Sequence, residues 1–200
     1  MYSYFTIQPA EAILYKDKAS KFIGYAYPVK NETEIKERLD HLRVLHPKAT
    51  HHCYAYRLGL DKNNYRANDD GEPNGTAGKP ILGQIDSFGI TNCLIVVVRY
   101  FGGTKLGVSG LIDAYRECAK ETIEATVITE QRILNYYHLR CAYESINKIY
   151  QIINNSRASI IEQQLDNTSV FTISVEQEKS ALLESRLTEE RIDHSFIERK

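Results

Sequence analysis

Between residues 66 and 116 the chain concentrates the residue types that can hold or transform a ligand. An acidic turn, Asn68-Asp69-Asp70-Gly71-Glu72-Pro73-Asn74-Gly75-Thr76-Ala77-Gly78-Lys79-Pro80, precedes a glycine cluster, Arg99-Tyr100-Phe101-Gly102-Gly103-Thr104-Lys105-Leu106-Gly107-Val108-Ser109-Gly110. Glycines in such number let the backbone adopt positive φ and let a ligand approach it closely. The second cluster puts Gly107, Ser109 and Gly110 at an expected helix start, where unpaired N–H groups and the helix dipole attract anions. Arg99 and Lys105 add positive charge, and Gly102 and Gly103 shape the loop between them. A phosphate, or a carboxylate from a partner, is the matching guest. The competing reading is structural: the glycines allow the loop to pack against a sheet, and Ser109 is a helix cap.

Asp69, Asp70 and Glu72 belong to the class of side chains that ligate hard cations or divide acid and base roles. Their spacing does not fit an EF-hand loop, and the favoured reading is a tight Asp-Asp-Gly turn whose carboxylates bond to nearby backbone. Thr76 and Lys79 complete this acidic loop. Named nucleotide motifs fail here. In Gly75-Thr76-Ala77-Gly78-Lys79 the first Walker glycine would fall on Pro73, and Pro80 replaces Ser or Thr; Gly102 to Gly107 lacks the GxGxxG spacing. His51, His52 and Cys53 alternate across a strand and cannot all converge on one ion, and nothing lowers the thiol pKa to make a nucleophile. No catalytic residue, metal or cofactor is assigned.

The rest of the sequence restricts the setting. The chain has 200 residues, 25 Lys and Arg, 26 Asp and Glu, and a formal net charge of −1. Through Thr126 the count is 16 basic against 15 acidic, and from Val127 onward 9 against 11. A protein bound to nucleic acid chiefly by counterion release carries a basic excess, so such binding here needs a local patch. The opening residues lack the charged and apolar regions of a signal peptide, no apolar run reaches membrane-spanning length, and four widely spaced cysteines read as reduced, buried thiols. The expected compartment is the cytoplasm.

These loops need elements to position them. Phe5-Ile7, Ala12-Tyr15 and Phe22-Tyr27 read as an antiparallel start. Asn31 caps a helix with Ile35, Leu39, Leu42 and Leu45 on one stripe, and Pro47 ends it. His52–Leu58 is a strand; Thr76 is the expected cap of a helix through Ile81, Leu82 and Ile85. Cys93–Val98, continuously apolar and mostly β-branched, is a strand buried on both faces. It delivers the chain into the glycine cluster and a helix from Ser109 to about Thr126. From Tyr136 the order strand, helix, strand, strand, helix, strand in about seventy residues matches a split βαβ, ferredoxin-like domain. The tyrosines read first as core, with Tyr54, Tyr56 and Tyr100 the best candidates for display near the loops.

Asp69-Asp70-Gly71-Glu72-Pro73-Asn74-Gly75-Thr76-Ala77-Gly78-Lys79-Pro80-Ile81-Leu82 and Arg99-Tyr100-Phe101-Gly102-Gly103-Thr104-Lys105-Leu106-Gly107 resemble the motifs of the YigZ/IMPACT family (UPF0029 type), and His51–Arg57 resembles its preceding strand. The resemblance implies an α+β chain: residues 1–128 as an IMPACT-type domain with the ribosomal protein S5 domain 2-like fold, and residues 129–200 similar to domain V of translation elongation factor G, which is ferredoxin-like. Eukaryotic relatives of the first domain act as translation regulators, binding a ribosome-associated activator of a stress kinase that phosphorylates an initiation factor. The resemblance therefore implies a cytoplasmic, translation-associated regulator that binds RNA, the ribosome or a protein partner through its glycine-loop face. The alternative is an enzyme or sensor for a phosphorylated small molecule or nucleotide at the Gly107 to Gly110 helix start. Ser109 stands where the family often has glycine, and Asp113 where a basic residue is frequent.

Overall fold

Strand and helix lengths follow from the alternation of apolar residues, and the clearest case is the central strand. The computed structural model describes residues 2–200. The chain folds into one unit over Phe5–Glu130 and a second over Gln131–Lys200 together with residues 2–4.

In the first unit a five-stranded sheet has the order β2 (Ala10–Asp17), β3 (Ser20–Pro28), β6 (Cys93–Tyr100), β4 (His51–Leu58), β5 (Asn64–Asn68). Every pairing in it is antiparallel. In β6 Cys93, Ile95 and Val97 enter a core with α2 (Gly78–Ser87) and α3 (Gly107–Glu124), while Leu94, Val96 and Val98 enter a second core under α1 (Glu32–Leu45). Period-two alternation on an all-apolar strand thus fills both faces, as expected. Asn31 caps α1 by accepting from the Glu34 N–H at 3.0 Å. Ile35, Leu39 and Leu42 are buried, but Leu45, expected on the same stripe, is 53% exposed. The residue after it, His46, is the one that meets the sheet there.

Two further expectations change. β1 (Ser3–Ile7) does not join β2 and β3 but forms a two-stranded sheet with β7 (Ile128–Arg132). The edge strand β5 carries no sequence signal, because its residues face solvent rather than alternate. α3 begins at Gly107, two residues before Ser109, so Ser109 lies in the first turn and is not its cap.

In the second unit β8 (Leu134–Ala142), α4 (Ile146–Asn155), β9 (Ser159–Gln164), β10 (Thr168–Glu176), α5 (Ser180–Glu189) and β11 (Asp193–Arg199) follow in that order. The antiparallel sheet runs β11-β8-β10-β9. Tyr137, Leu139, Phe171 and Ile173 meet Ile149, Ile153, Leu183 and Leu187 in its core. All four cysteines of the chain are free and buried. No helix among the described residues is long and apolar enough to cross a membrane.

Candidate functional site

The acidic loop is built around a turn in which Asp70 and Gly71 both take positive φ, 43° and 89°, and the Glu72 N–H donates to Asp69 O at 2.9 Å. Asp-Gly suits such a turn because the first residue tolerates the left-handed region and glycine enters it freely. Asp69 then reaches forward. Its carboxylate accepts from the backbone N–H groups of Gly75 at 2.8 Å, Ala77 at 3.0 Å and Gly78 at 2.8 Å. Burial pushes its pKa up, but these three donors and Lys79 outweigh it, and the group lies below its ordinary value. The start of α2 is therefore sealed by Asp69. Thr76, expected as the cap, instead donates its hydroxyl to Pro73 O at 2.7 Å. Asp70 accepts from the His52 N–H at 2.6 Å, and the His51 Nδ1 lies 2.8 Å from Asp70 O. Asp69 and Asp70 thus bond to backbone.

Glu72 points the other way, into the molecule. Its Oε1 receives Arg99 Nη1 at 2.5 Å and the Tyr115 hydroxyl at 2.8 Å, and lies 3.8 Å from His51 Nε2. Only 4% of the Glu72 side chain and 6% of the Arg99 side chain remain exposed. A buried pair of this kind strongly penalises loss of either partner, because the other charge is left uncompensated. Arg99 also contacts the Ser20 hydroxyl through Nη2 at 3.3 Å and lies over the rings of Phe22 and Phe101. Its charge is thus engaged from within. Behind it, Cys53 donates to Asp69 O at 3.0 Å and lies 3.3 Å from the Tyr115 hydroxyl. Burial pushes both the Cys53 thiol and the Tyr115 phenol well above their ordinary values. A neutral thiol is a poor nucleophile.

The two loops meet at a cavity of about 460 Å³, lined by Thr50, His51, Glu72, Pro73, Arg99, Phe101, Lys105, Leu106, Gly107, Val108 and Leu111. Lys105 is exposed and makes no hydrogen bond or ion pair among the described residues. Leu106 occupies the N-cap position of α3, no side chain caps it, and its first turn holds no acidic residue. Gly107 takes φ 78° at the helix start, with nothing within 4 Å of where a Cβ would sit. Gly102 serves a different purpose: a Cβ there would lie 1.9 Å from Ala19 O, so glycine lets the loop sit on the β2–β3 turn. Gly103 has φ 86°, and Gly110 packs against Leu106. Ser109 is exposed in the first turn, and Asp113 pairs with Arg116 at 2.8 Å on the exposed side. Lys79 is exposed beside the acidic loop rather than in the cavity wall.

The cavity brings together His51, Glu72, Arg99, Lys105 and Gly107 from the residues singled out by sequence, and adds Thr50. Tyr115 and Ser20, which hold the pair from below, carry no local signal: they are 43 and 79 residues from their partners. Tyr54 and Tyr56 are core residues, only 8% and 7% exposed. No group of three or more His, Cys, Asp or Glu side chains among the described residues could hold a metal ion.

The Impact N-terminal domain model matches residues 18–123, which include both loops and the helices that they start. The chain belongs to the IMPACT family. It is similar to IMPACT family member YvyE of Bacillus subtilis, with 32% identity over 189 residues covering 94% of this chain and 87% of that one. A crystal structure of a hypothetical protein superposes with a TM-score of 0.78 at 28% identity, covering 99% of this chain and 98% of the other. A structure described as the two-domain translational regulator Yih1 shares 26% identity, covering 58% of this chain and 45% of the other, with a TM-score of 0.39.

Proposed function

We propose that this IMPACT-family chain is a cytoplasmic regulator of translation that engages its partner, an RNA, a ribosomal component or a translation-related protein, through the face where its two loops meet. One observation carries the site assignment: the start of α3 opens on a cavity, beside a lysine with no ion pair, over a buried Glu72–Arg99 pair. Unpaired N–H groups at a helix start favour an anionic guest. The translational context comes from family membership. In this reading the Phe5–Glu130 unit has the S5 domain 2-like fold and the following unit the ferredoxin-like fold, and both folds recur in proteins that contact RNA or the ribosome. The test is sedimentation of wild type and Lys105→Ala with ribosomes at low and moderate salt, with and without nuclease. Wild type should co-sediment and the variant should not. Absence of both from ribosomal and RNA-bound fractions would overturn the ribosome and RNA forms of the reading.

The cavity's volume, within the range of small-molecule sites, favours a second reading in which a phosphorylated metabolite or nucleotide binds at the Gly107 to Gly110 start. Asp69 and Asp70 bond to backbone, so this version is a sensor more readily than an enzyme. Thermal shifts with nucleotides and phosphometabolites, with and without magnesium, decide it; no stabilisation by any of them would sink it.

A further inference from the structure

On the other side of Phe101 lies a second cavity, of about 440 Å³, lined by Ala19, Lys21, Ile23, His46, Tyr100 and Phe101. Phe101 is 46% exposed and borders both cavities. Strand register explains what surrounds it. Lys21 pairs with Lys16 across β2 and with Tyr100 across β6, and Ile23 pairs with Leu14 and Val98. Residues directly opposite one another share a face, so Lys16, Lys21, Leu14, Ile23 and Tyr100 stand on the α1 side of the sheet. Tyr54, Tyr56 and Val96 lie in the core with α1, but Lys16, Lys21 and Leu14 are exposed, and Ile23 and Tyr100 are partly so. Asp17 belongs to the opposite face. Among the described residues of β2, β3 and β6, the acid on this face is Glu11, which sits toward Tyr27; Glu32 of α1 lies farther off, beside Tyr56.

His46, just past the end of α1, joins this surface to the core. Its Nε2 lies 2.6 Å from the Tyr25 hydroxyl and its Nδ1 2.9 Å from the Tyr100 hydroxyl. Burial holds the imidazole below its ordinary pKa, which keeps it neutral at neutral pH. A neutral ring donates through one nitrogen and accepts through the other. Depending on the tautomer, the Tyr100 hydroxyl is left either with a proton to give or with a lone pair to offer. It is the more open of the two phenols.

An exposed and a half-exposed ring between lysines that have no ion pair among the described residues form a stacking platform flanked by phosphate contacts. We propose that this sheet face is a seat for single-stranded RNA: a base packs on Phe101 and Tyr100, adjoining phosphates meet Lys16 and Lys21, and the strand continues over the rim to Lys105. The hydroxyl of Tyr100 accepts either a donor or an acceptor on a base edge, so the seat tolerates different bases. The proposal rests on the loop-face reading and names its ligand.

The test measures anisotropy of labelled RNA strands of about a dozen nucleotides, a size suited to such sites. Base-bearing strands, an abasic strand and a duplex of equal length are compared at low and moderate salt. Wild type should bind the base-bearing single strands about tenfold or more tighter than the abasic strand, given the usual contribution of one stacked base. Phe101→Ala should abolish that difference, and the exposed Lys16→Ala/Lys21→Ala variant should weaken binding of all strands and flatten the salt dependence. Equal affinity for abasic and base-bearing strands overturns the base seat. Base discrimination that persists in Phe101→Ala, with an unchanged melting temperature, overturns its location. Ribosome sedimentation that resists nuclease, without binding to any strand, defeats the RNA seat but leaves the loop-face reading; loss of both defeats both.

Discussion

The α2 and α3 helices both begin at glycine-rich loops, yet their first turns are treated in opposite ways. At α2 the chain reaches back nine residues to bring the Asp69 carboxylate onto the Gly78 N–H, and the same group takes two more donors. At α3 no side chain caps the helix, and the opening turn borders a cavity beside Lys105. A helix start supplied with its own carboxylate has little left to offer a guest, whereas an uncapped one does. The acidic loop is therefore framework. It seals α2, and through Glu72 it anchors Arg99 beneath the second loop, which in the proposed reading is the part that meets a partner.

Five substitutions at four positions sharpen or break that contrast. The largest effect belongs to Glu72→Ala, which strands Arg99 in the interior; chemical denaturation should show a loss of about 3–5 kcal/mol. A loss below about 1 kcal/mol would mean that the pair is not a structural anchor. Asp69→Ala should cost about 1–2 kcal/mol as the start of α2 loses its cap. Because the folded pKa of Asp69 is depressed, its contribution is present above its ordinary value of 3.8 and disappears as pH falls below that value toward the folded pKa. Asp69→Asn should accordingly lose less stability than wild type on acidification through that window; parallel acid profiles would refute the assignment. Ser109→Asp places a carboxylate in the first turn of α3 and should stabilise by about 0.3–1 kcal/mol. Lys105→Ala should change stability by less than about 0.5 kcal/mol, because the side chain is exposed and unpaired, while still weakening partner binding.

How much of this can be read from the sequence depends on how far each feature's cause lies along the chain. β6 is legible because six consecutive apolar residues can only be buried on both faces, and α1 because its cap and stripe are local. β5 is not, since an exposed edge strand carries no alternation. The cap of α2 is misread as Thr76 for a related reason. Nearest-neighbour logic favours a hydroxyl two residues away, whereas the turn at Asp70 and Gly71 folds Asp69 back over the helix start. The site is half legible: residue types flag Glu72, Arg99 and Lys105, but nothing short of the fold pairs Glu72 with Arg99 across 27 residues. His46 and Tyr100 are 54 apart, and their contact depends on β6 ending beside the end of α1. Arg99, expected as an anion-facing cation, is held from within by Glu72, which moves the exposed charge of the loop to Lys105.

The contrast between the two helix starts is tested most directly by Ser109→Asp, assayed for melting temperature and for the ribosome-bound fraction in the same preparation. The account predicts a melting temperature equal to or above that of wild type, together with a bound fraction reduced to background. A variant of undiminished stability that still sediments with ribosomes as wild type does would contradict it.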